Sequence, residues 1–314
     1  MAEAPASPAA GAPPTIGGTA RNGALSPGRL RTRRRRLAFR GASLPLYGGA
    51  VLLTIVTLGA LFAPLLAPHD PLDSDIMARL TPPAWDPLGT AQYPLGADAL
   101  GRDLLSRLIY GARVSLVVGF SSVLMAGLVG VALGVLAGYS GGTADRIIMI
   151  VVDIMMAFPL VLLALAVVAL LGPSVVNMVI VFVATSWFIY ARMARASTLG
   201  VRGRDFITAA RVSGATDLRI LLRHVLPNVA GPLAVVASFE VARIITTEAA
   251  LGFLGLGVPP PAPSWGGMLA EGREYVQSAW WVSVFPGLAL MVTVLGINFL
   301  GDGIRDLIDP TMQV

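Results

Sequence analysis

Six stretches of this sequence run for twenty residues or more with scarcely a charge among them, at about 44–67, 113–139, 147–171, 174–194, 229–251 and 281–301. A helix rises about 1.5 Å per residue, so ~20 apolar residues cross the hydrocarbon core of a bilayer. A soluble globule has no means of covering six such helices. Hydrophobic residues make up 55% of the 314-residue chain and charged residues only 13%, against roughly 25% charged in an ordinary soluble domain. The expected class is an all-α, multi-spanning membrane protein. The first stretch is too long for the apolar part of a signal peptide, and its basic flank begins far from Met1. It is therefore read as a retained span.

The charges orient these spans. Every one of the 23 basic residues is arginine. Eight precede the first span, including the run Arg29–Arg36, and seven lie between Arg192 and Arg223. Only Arg79, Arg102, Arg107, Arg113 and Arg273 fall on the opposite side, and Arg243 lies within a span. The positive-inside bias places both termini in the cytoplasm, with six spans between them. The arginine run is read as a cytoplasmic anchor rather than a nucleic-acid patch, because it stands beside an apolar stretch. Residues 1–43 form a basic cytoplasmic tail, poor in large apolar groups and expected to be disordered.

Two segments are neither span nor tail. Residues 68–112 form an outer loop, and its last part, GRDLLSRLIYGAR, is expected to lie as an amphipathic helix at the outer interface. Residues 195–228 form a long polar inner loop, more than a connection between two helices requires. Gly130, Gly134 and Gly138 repeat every four residues in the second span and predict close helix packing.

Candidate chemistry is sparse. The chain has no cysteine, so disulfides and thiolate sites are excluded. It has no lysine, and a P-loop needs one on the β- and γ-phosphates, so ATP chemistry must belong to another chain. His69 and His224 are expected on opposite sides of the membrane and cannot share a metal. No catalytic constellation is visible, and the chain is read as neither an enzyme nor a metal site. Asp153, Glu240, Arg243 and Glu248 lie at or near membrane depth, where ionisable groups are functional candidates. Glu240 and Arg243 stand three apart on one face. They are either a self-neutralising pair or part of a transport path or subunit contact, for which Glu248 is a further candidate. Asp153 is expected to meet an inner-loop arginine and so to serve coupling.

The inner loop reads DFITAARVSGATDLRILLRHVLPN. It resembles the signature loop of ABC importer permeases at Ala209, Ala210, Gly214, Leu226 and Pro227. Thr208 departs from the usual glutamate, which Asp205 one turn earlier would replace, and His224 departs from an apolar position. YPLGADALGRDLLSRLIYGARVSLVVG, EAALGFLGLGVPPPAPSWGGML and FLGDGIRDLIDP resemble further stretches of the dipeptide, oligopeptide and nickel permeases, among them the C-type subunits of dipeptide transporters. The likeness runs over about 44–310. It implies the type I ABC importer permease fold. It also implies a second permease subunit, two P-loop ATPases carrying ATP and Mg, and an extracytoplasmic binding protein, in the bacterial inner membrane. The inner loop is then the ATPase-docking element. Gly214 would supply a tight turn and Pro227 would end the docking helix before the fifth span. The prolines at 259, 260, 261 and 263, with Trp265, make a stiff connection near an outer gate or a rigid turn. The implied cargo is di- or oligopeptide; nickel, glutathione or another small solute is the alternative. An intramembrane enzyme and a stand-alone channel are remoter readings, and the channel would leave the inner loop unexplained.

Overall fold

The computed structural model describes residues 45–308. The tail of 1–43, with its arginine run, lies outside the described residues. Within them the chain is helical, and the nearest approach to a strand is one isolated bridge between Ala97 and Asp103.

An apolar helix, α1 (Pro45–Leu61), is followed by the short α2 (Ala63–Leu66), whose first turn carries Pro64. The irregular segment 67–103 then leads into α3 (Leu104–Ser140), a single 37-residue helix. Asp103 caps it, accepting hydrogen bonds from the Ser106 amide at 3.0 Å and the Ser106 hydroxyl at 2.6 Å. The stretch 104–112 is therefore the start of α3, not a separate helix lying at an interface. Its apolar side packs inward, and Arg107 is spent on ion pairs rather than on water.

The expected span at 147–171 is two helices, α4 (Gly142–Ala157) and α5 (Leu160–Leu171), bent at 85° to each other. The bend sits at Phe158–Pro159. Proline has no N–H to continue the ladder and forces the residue before it out of the helical region, and Phe158 has ψ 125° accordingly. Only Val152 of α4 and Ala164 of α5 are buried.

Next come α6 (Val175–Ala184) and α7 (Trp187–Arg202), which together are long enough to cross a membrane despite a break at Thr185–Ser186. Then follow α8 (Asp205–Val212) and α9 (Asp217–Ile220). A wide π-helical turn, Leu221–Val225, runs without interruption into α10 (Leu226–Phe253). Pro227 closely follows the π-turn, where the widened ladder accommodates its missing N–H and the helix continues through it. It therefore does not end a docking helix, as the sequence suggested. Finally α11 (Trp265–Gly272) precedes α12 (Trp281–Ile308).

Four helical segments, at 104–140, 175–202, 217–253 and 281–308, are long and apolar enough to cross a membrane. The bent α4–α5 pair makes a fifth if counted as one span. The tightest contact is α3 along α7. A Cβ on Gly130 would stand 2.1 Å from the Trp187 carbonyl, and one on Gly134 would stand 2.2 Å from that of Ala191. The four-residue glycine spacing thus lets the two backbones touch. The helices α3, α11 and α12 pack against α10. Leu46 and Leu52 of α1 lie against Gly303 and Gly296 of α12.

The bundle has two unlike ends. At the cap end, 67–103 covers the starts of α3 and α12, and Trp281 Nε1 donates to the Ala97 carbonyl at 3.2 Å. At the groove end lie α8, α9 and the π-turn, beyond the C-terminus of α3.

Candidate functional site

At the groove end, α8 begins with Asp205, whose carboxylate favours the positive end of the helix dipole. Ile207, fully buried, anchors it. It ends on Gly214 at φ 81°. The Ala215 amide bonds the Ala210 carbonyl at 3.1 Å and the Gly214 amide bonds that of Arg211 at 2.9 Å, the paired bonds of a Schellman stop. A Cβ at Gly214 would meet nothing within 4 Å. Glycine is there for its backbone angle, the tight turn rather than the close approach. Thr216 then caps α9, accepting from the Arg219 amide at 3.4 Å.

These turns enclose an open groove of about 490 Å³ lined by Phe206, Ala209, Ala210, Ser213, Gly214, Ala215, Arg219, Arg223 and His224. Of the seven loop residues singled out in the sequence, Ala209, Ala210 and Gly214 line it. Asp205 and Thr208 are exposed on α8, while Leu226 and Pro227 open α10. The walls are small or apolar and the rim carries the cations. Val212, Leu218 and Leu222 project beside it at 84%, 66% and 58% exposure.

The groove is tied to the bundle by Tyr139, on the last turn of α3. Its hydroxyl donates to Asp217 Oδ1 at 2.6 Å, and the Arg211 guanidinium lies 5.4 Å over its ring. Higher up, α4 is held to α7 by two ion pairs, Asp145 with Arg195 and Asp153 with Arg192, the latter at 2.6 Å.

In the middle of α10, both carboxylate oxygens of Glu240 accept from Arg243, at 2.9 and 2.7 Å. Arg243 Nη2 also donates to Ser186 Oγ at 2.7 Å. Glu248 is placed apart from this pair. Five residues turn roughly 140° around a helix, so Glu248 points at α3, fully buried, where Ser115 Oγ donates to its Oε2 at 2.9 Å.

The sequence reading missed a buried cluster at the cap end. Arg102 Nε donates to Asp98 Oδ2 at 2.7 Å, and its Nη2 donates to Glu271 Oε2 at 2.9 Å. Arg107 donates to Asp98 and, at 2.7 and 3.1 Å, to the two oxygens of Glu271. Asp98, Arg102 and Arg107 are buried. The charges of ADALGRDLLSR were a visible signal, but Glu271 lies more than 160 residues away. Nearby, burial, and after it the carboxylate of Asp75, pushes the Tyr93 phenol above its ordinary pKa, so it stays neutral. Of the prolines near Trp265, Pro259 and Pro260 line a smaller cavity of about 300 Å³ with Arg107 and Glu271. Trp265 itself is buried and donates to the Leu108 carbonyl at 3.0 Å. Among the described residues no group of histidine and carboxylate side chains is arranged to hold a metal.

Comparison with known proteins decides the family. Residues 130–314 match the model of the binding-protein-dependent transport system inner membrane component. The chain belongs to this family. Residues 46–83 match the N-terminal transmembrane domain of oligopeptide transport permease C. The chain is 48% identical over 266 residues to the di/tripeptide transport system permease protein DppC of Pseudomonas aeruginosa (strain UCBPP-PA14), covering 85% of this chain and 88% of that protein. It is 47% identical over 265 residues to the dipeptide transport system permease protein DppC of Escherichia coli (strain K12), covering 84% and 88%. A solved structure of the MetNI methionine ABC transporter, in an inward-facing form, superimposes with a TM-score of 0.53 at 22% identity, over 65% of this chain and 96% of that one. At that identity the likeness speaks for the fold alone. The permease is thus an inner membrane component with a transporter's rather than an enzyme's architecture.

Proposed function

We propose that this chain is the C-type permease subunit of an ATP-driven importer of di- and oligopeptides. It pairs with a second permease, docks two P-loop ATPases that carry ATP and Mg, and receives peptide from an extracytoplasmic binding protein. Both termini and the groove end face the cytoplasm, and α1–α2, α3, α4–α5, α6–α7, α10 and α12 make six crossings. The observation that carries the reading is the groove of α8, Gly214 and α9. It is an exposed, small-residue and apolar seat at the end of a membrane bundle, and it belongs to a chain without a P-loop lysine. The relatives named for dipeptide transport support the cargo.

The groove accounts for coupling. When the paired ATPases close on ATP, the ATPase surface on which this docking element sits pushes on α8 and α9. Of these, α9 runs through the π-turn without a break into α10 and is pinned to α3 through Tyr139 and Asp217. The seat therefore addresses two long helices at once, and their movement opens the cavity to the opposite side.

The test is reconstitution of the full complex in vesicles, with ATP enclosed on the groove side and labelled dipeptide with binding protein outside. Uptake should require ATP and all the partner chains. Uptake by this chain alone, without ATP, would make it a channel or ion-driven carrier. ATP-driven uptake of nickel or another small solute in place of peptide would leave the machine standing and replace the cargo.

A further inference from the structure

The guanidinium of Arg243 sits near the middle of α10 with its side chain 37% exposed. Nε and Nη2 are committed to Glu240 and Ser186, but Nη1 has no acceptor among the described residues. A charge exposed to lipid at the centre of a span is costly. The lipid-type face of this bundle looks different. On α12 the exposed stripe is Val284, Leu288, Met291, Leu295 and Phe299, each a large apolar side chain. On α10 the exposed positions around Arg243 are Thr246 and Ala250, one small polar and one small apolar residue. That face is built for something other than acyl chains.

A second observation says what. The α6–α7 span breaks at Thr185–Ser186, beside this guanidinium. Ser186, the residue before the first turn of α7, is the one that holds Arg243 Nη2. The start of α7, the positive end of its dipole, is thereby brought next to an arginine whose pairing with Glu240 is already neutral. The uncommitted Nη1 of Arg243 and a half-helix N-terminus at mid-span together favour one more negative charge. Discontinuous helices in transporters meet anionic substrate groups in this way. A free carboxylate oxygen can accept a charge-assisted hydrogen bond from the uncommitted Nη1.

We infer that Arg243, positioned by Glu240 and Ser186 at the broken α6–α7 span, receives the C-terminal carboxylate of the peptide as it passes. The inference rests on the peptide-cargo reading above and adds a specificity element within the membrane, separate from selection by the binding protein. Glu240 is a positioning residue. It fixes the fork so that Nη1 faces outward, and it balances the arginine charge when no peptide is present.

The experiment compares uptake of a dipeptide with that of its C-terminal amide by the whole reconstituted complex, each at a concentration saturating the binding protein. Replacing Arg243 alone would strand the Glu240 charge, so the main variant is the neutral pair E240Q/R243Q, with R243K as the second. The native complex should carry the acid about tenfold faster than the amide, as expected for a charge-assisted hydrogen bond. E240Q/R243Q should bring the two rates within about twofold, and R243K should keep part of the preference. ATP hydrolysis stimulated by loaded binding protein should be retained. An unchanged acid-to-amide ratio in E240Q/R243Q would overturn the inference. So would loss of the second permease from both variants, which would make Arg243 a subunit contact. If the native complex carried no peptide at all, the cargo reading would fail first, and that outcome is distinct from either of these.

Discussion

The two ends of the bundle solve opposite problems. At the cap end four charged side chains close on one another. Asp98, Arg102, Arg107 and Glu271 leave only Glu271 partly open to solvent. At the groove end Val212, Leu218 and Leu222 are left bare, and much of the polar contact is local capping. The cap end closes its charges internally, although Ile76, Met77 and Leu88 of the same segment stay exposed at 83%, 93% and 81%. The groove end has no such charge cluster, and under the proposed function its short, well-capped helices meet the ATPase. Damage to the cap end should therefore appear as lost folding, and damage to the groove end as lost coupling.

The sharpest way to break this contrast is to remove one member of the buried cluster. R107A strands Asp98, which is 1% exposed, with half its counter-charge gone. Breaking a buried pair from one side costs about 3–5 kcal/mol. The expected result is a large fall in the thermal midpoint of the detergent-solubilised protein and poor recovery from membranes. A midpoint within a few degrees of the native protein would mean that the cluster is not what closes the cap.

The next effect lies between the two ends, where α3 and α7 touch. G134V places a branched side chain where even a Cβ would stand 2.2 Å from the Ala191 carbonyl. Overpacking costs about 1–3 kcal/mol when neighbours can yield, and a backbone carbonyl yields little, so a value at the upper end is expected from the thermal midpoint. G127A, where a Cβ would meet only the Tyr190 ring at 3.8 Å, should be nearly silent. Equal effects at the two glycines would deny that the four-residue spacing serves close approach.

Much of this architecture was legible in the sequence. The apolar runs located every long helix, and the glycine spacing marked the face of α3 that another helix approaches closely, though not that the partner is α7. Three things were not legible. The 85° bend at Phe158–Pro159 hides inside a run whose apolar character continues on both sides, so hydropathy reads one span, although the proline was the available signal. The start of α3 at Leu104 was hidden because Arg107 looks like a solvated charge until Glu271 is brought to it by the fold. The separation of Glu248 from the Glu240–Arg243 pair was hidden because its partner, Ser115 of α3, is brought to it only by the fold. In the loop, Gly214 was recognisable by its place in the motif. The Schellman bonds give the physical reason for a glycine there.

At the groove end effects should move from stability to coupling. G214A leaves the space around the residue unfilled but asks an L-residue to hold φ 81°, costing about 1–2 kcal/mol in the left-handed region. The stop of α8 should fray, lowering ATP-driven uptake several-fold while the thermal midpoint stays close to native. G214N, which tolerates that region better, should recover much of the uptake. If asparagine did no better than alanine, the backbone angle would not be what matters there.

The smallest expected effect separates a coupling strut from a surface contact. Y139F keeps the ring under Arg211 and removes only the hydroxyl that donates to Asp217 at 2.6 Å. A hydrogen bond of this kind contributes about 1 kcal/mol, and its loss should leave folding and ATPase docking intact. The bond joins the end of α3 to the first turn of α9, so it matters only while one helix pushes on the other. Uptake per ATP hydrolysed should therefore fall about twofold while ATP hydrolysis itself is unchanged. D217N, which keeps an acceptor for the same hydroxyl, should fall less. A proportional fall in both rates would place the defect in docking. Y139F would then report on the shape of the groove, and the path from the groove to the cap would run through α10 alone.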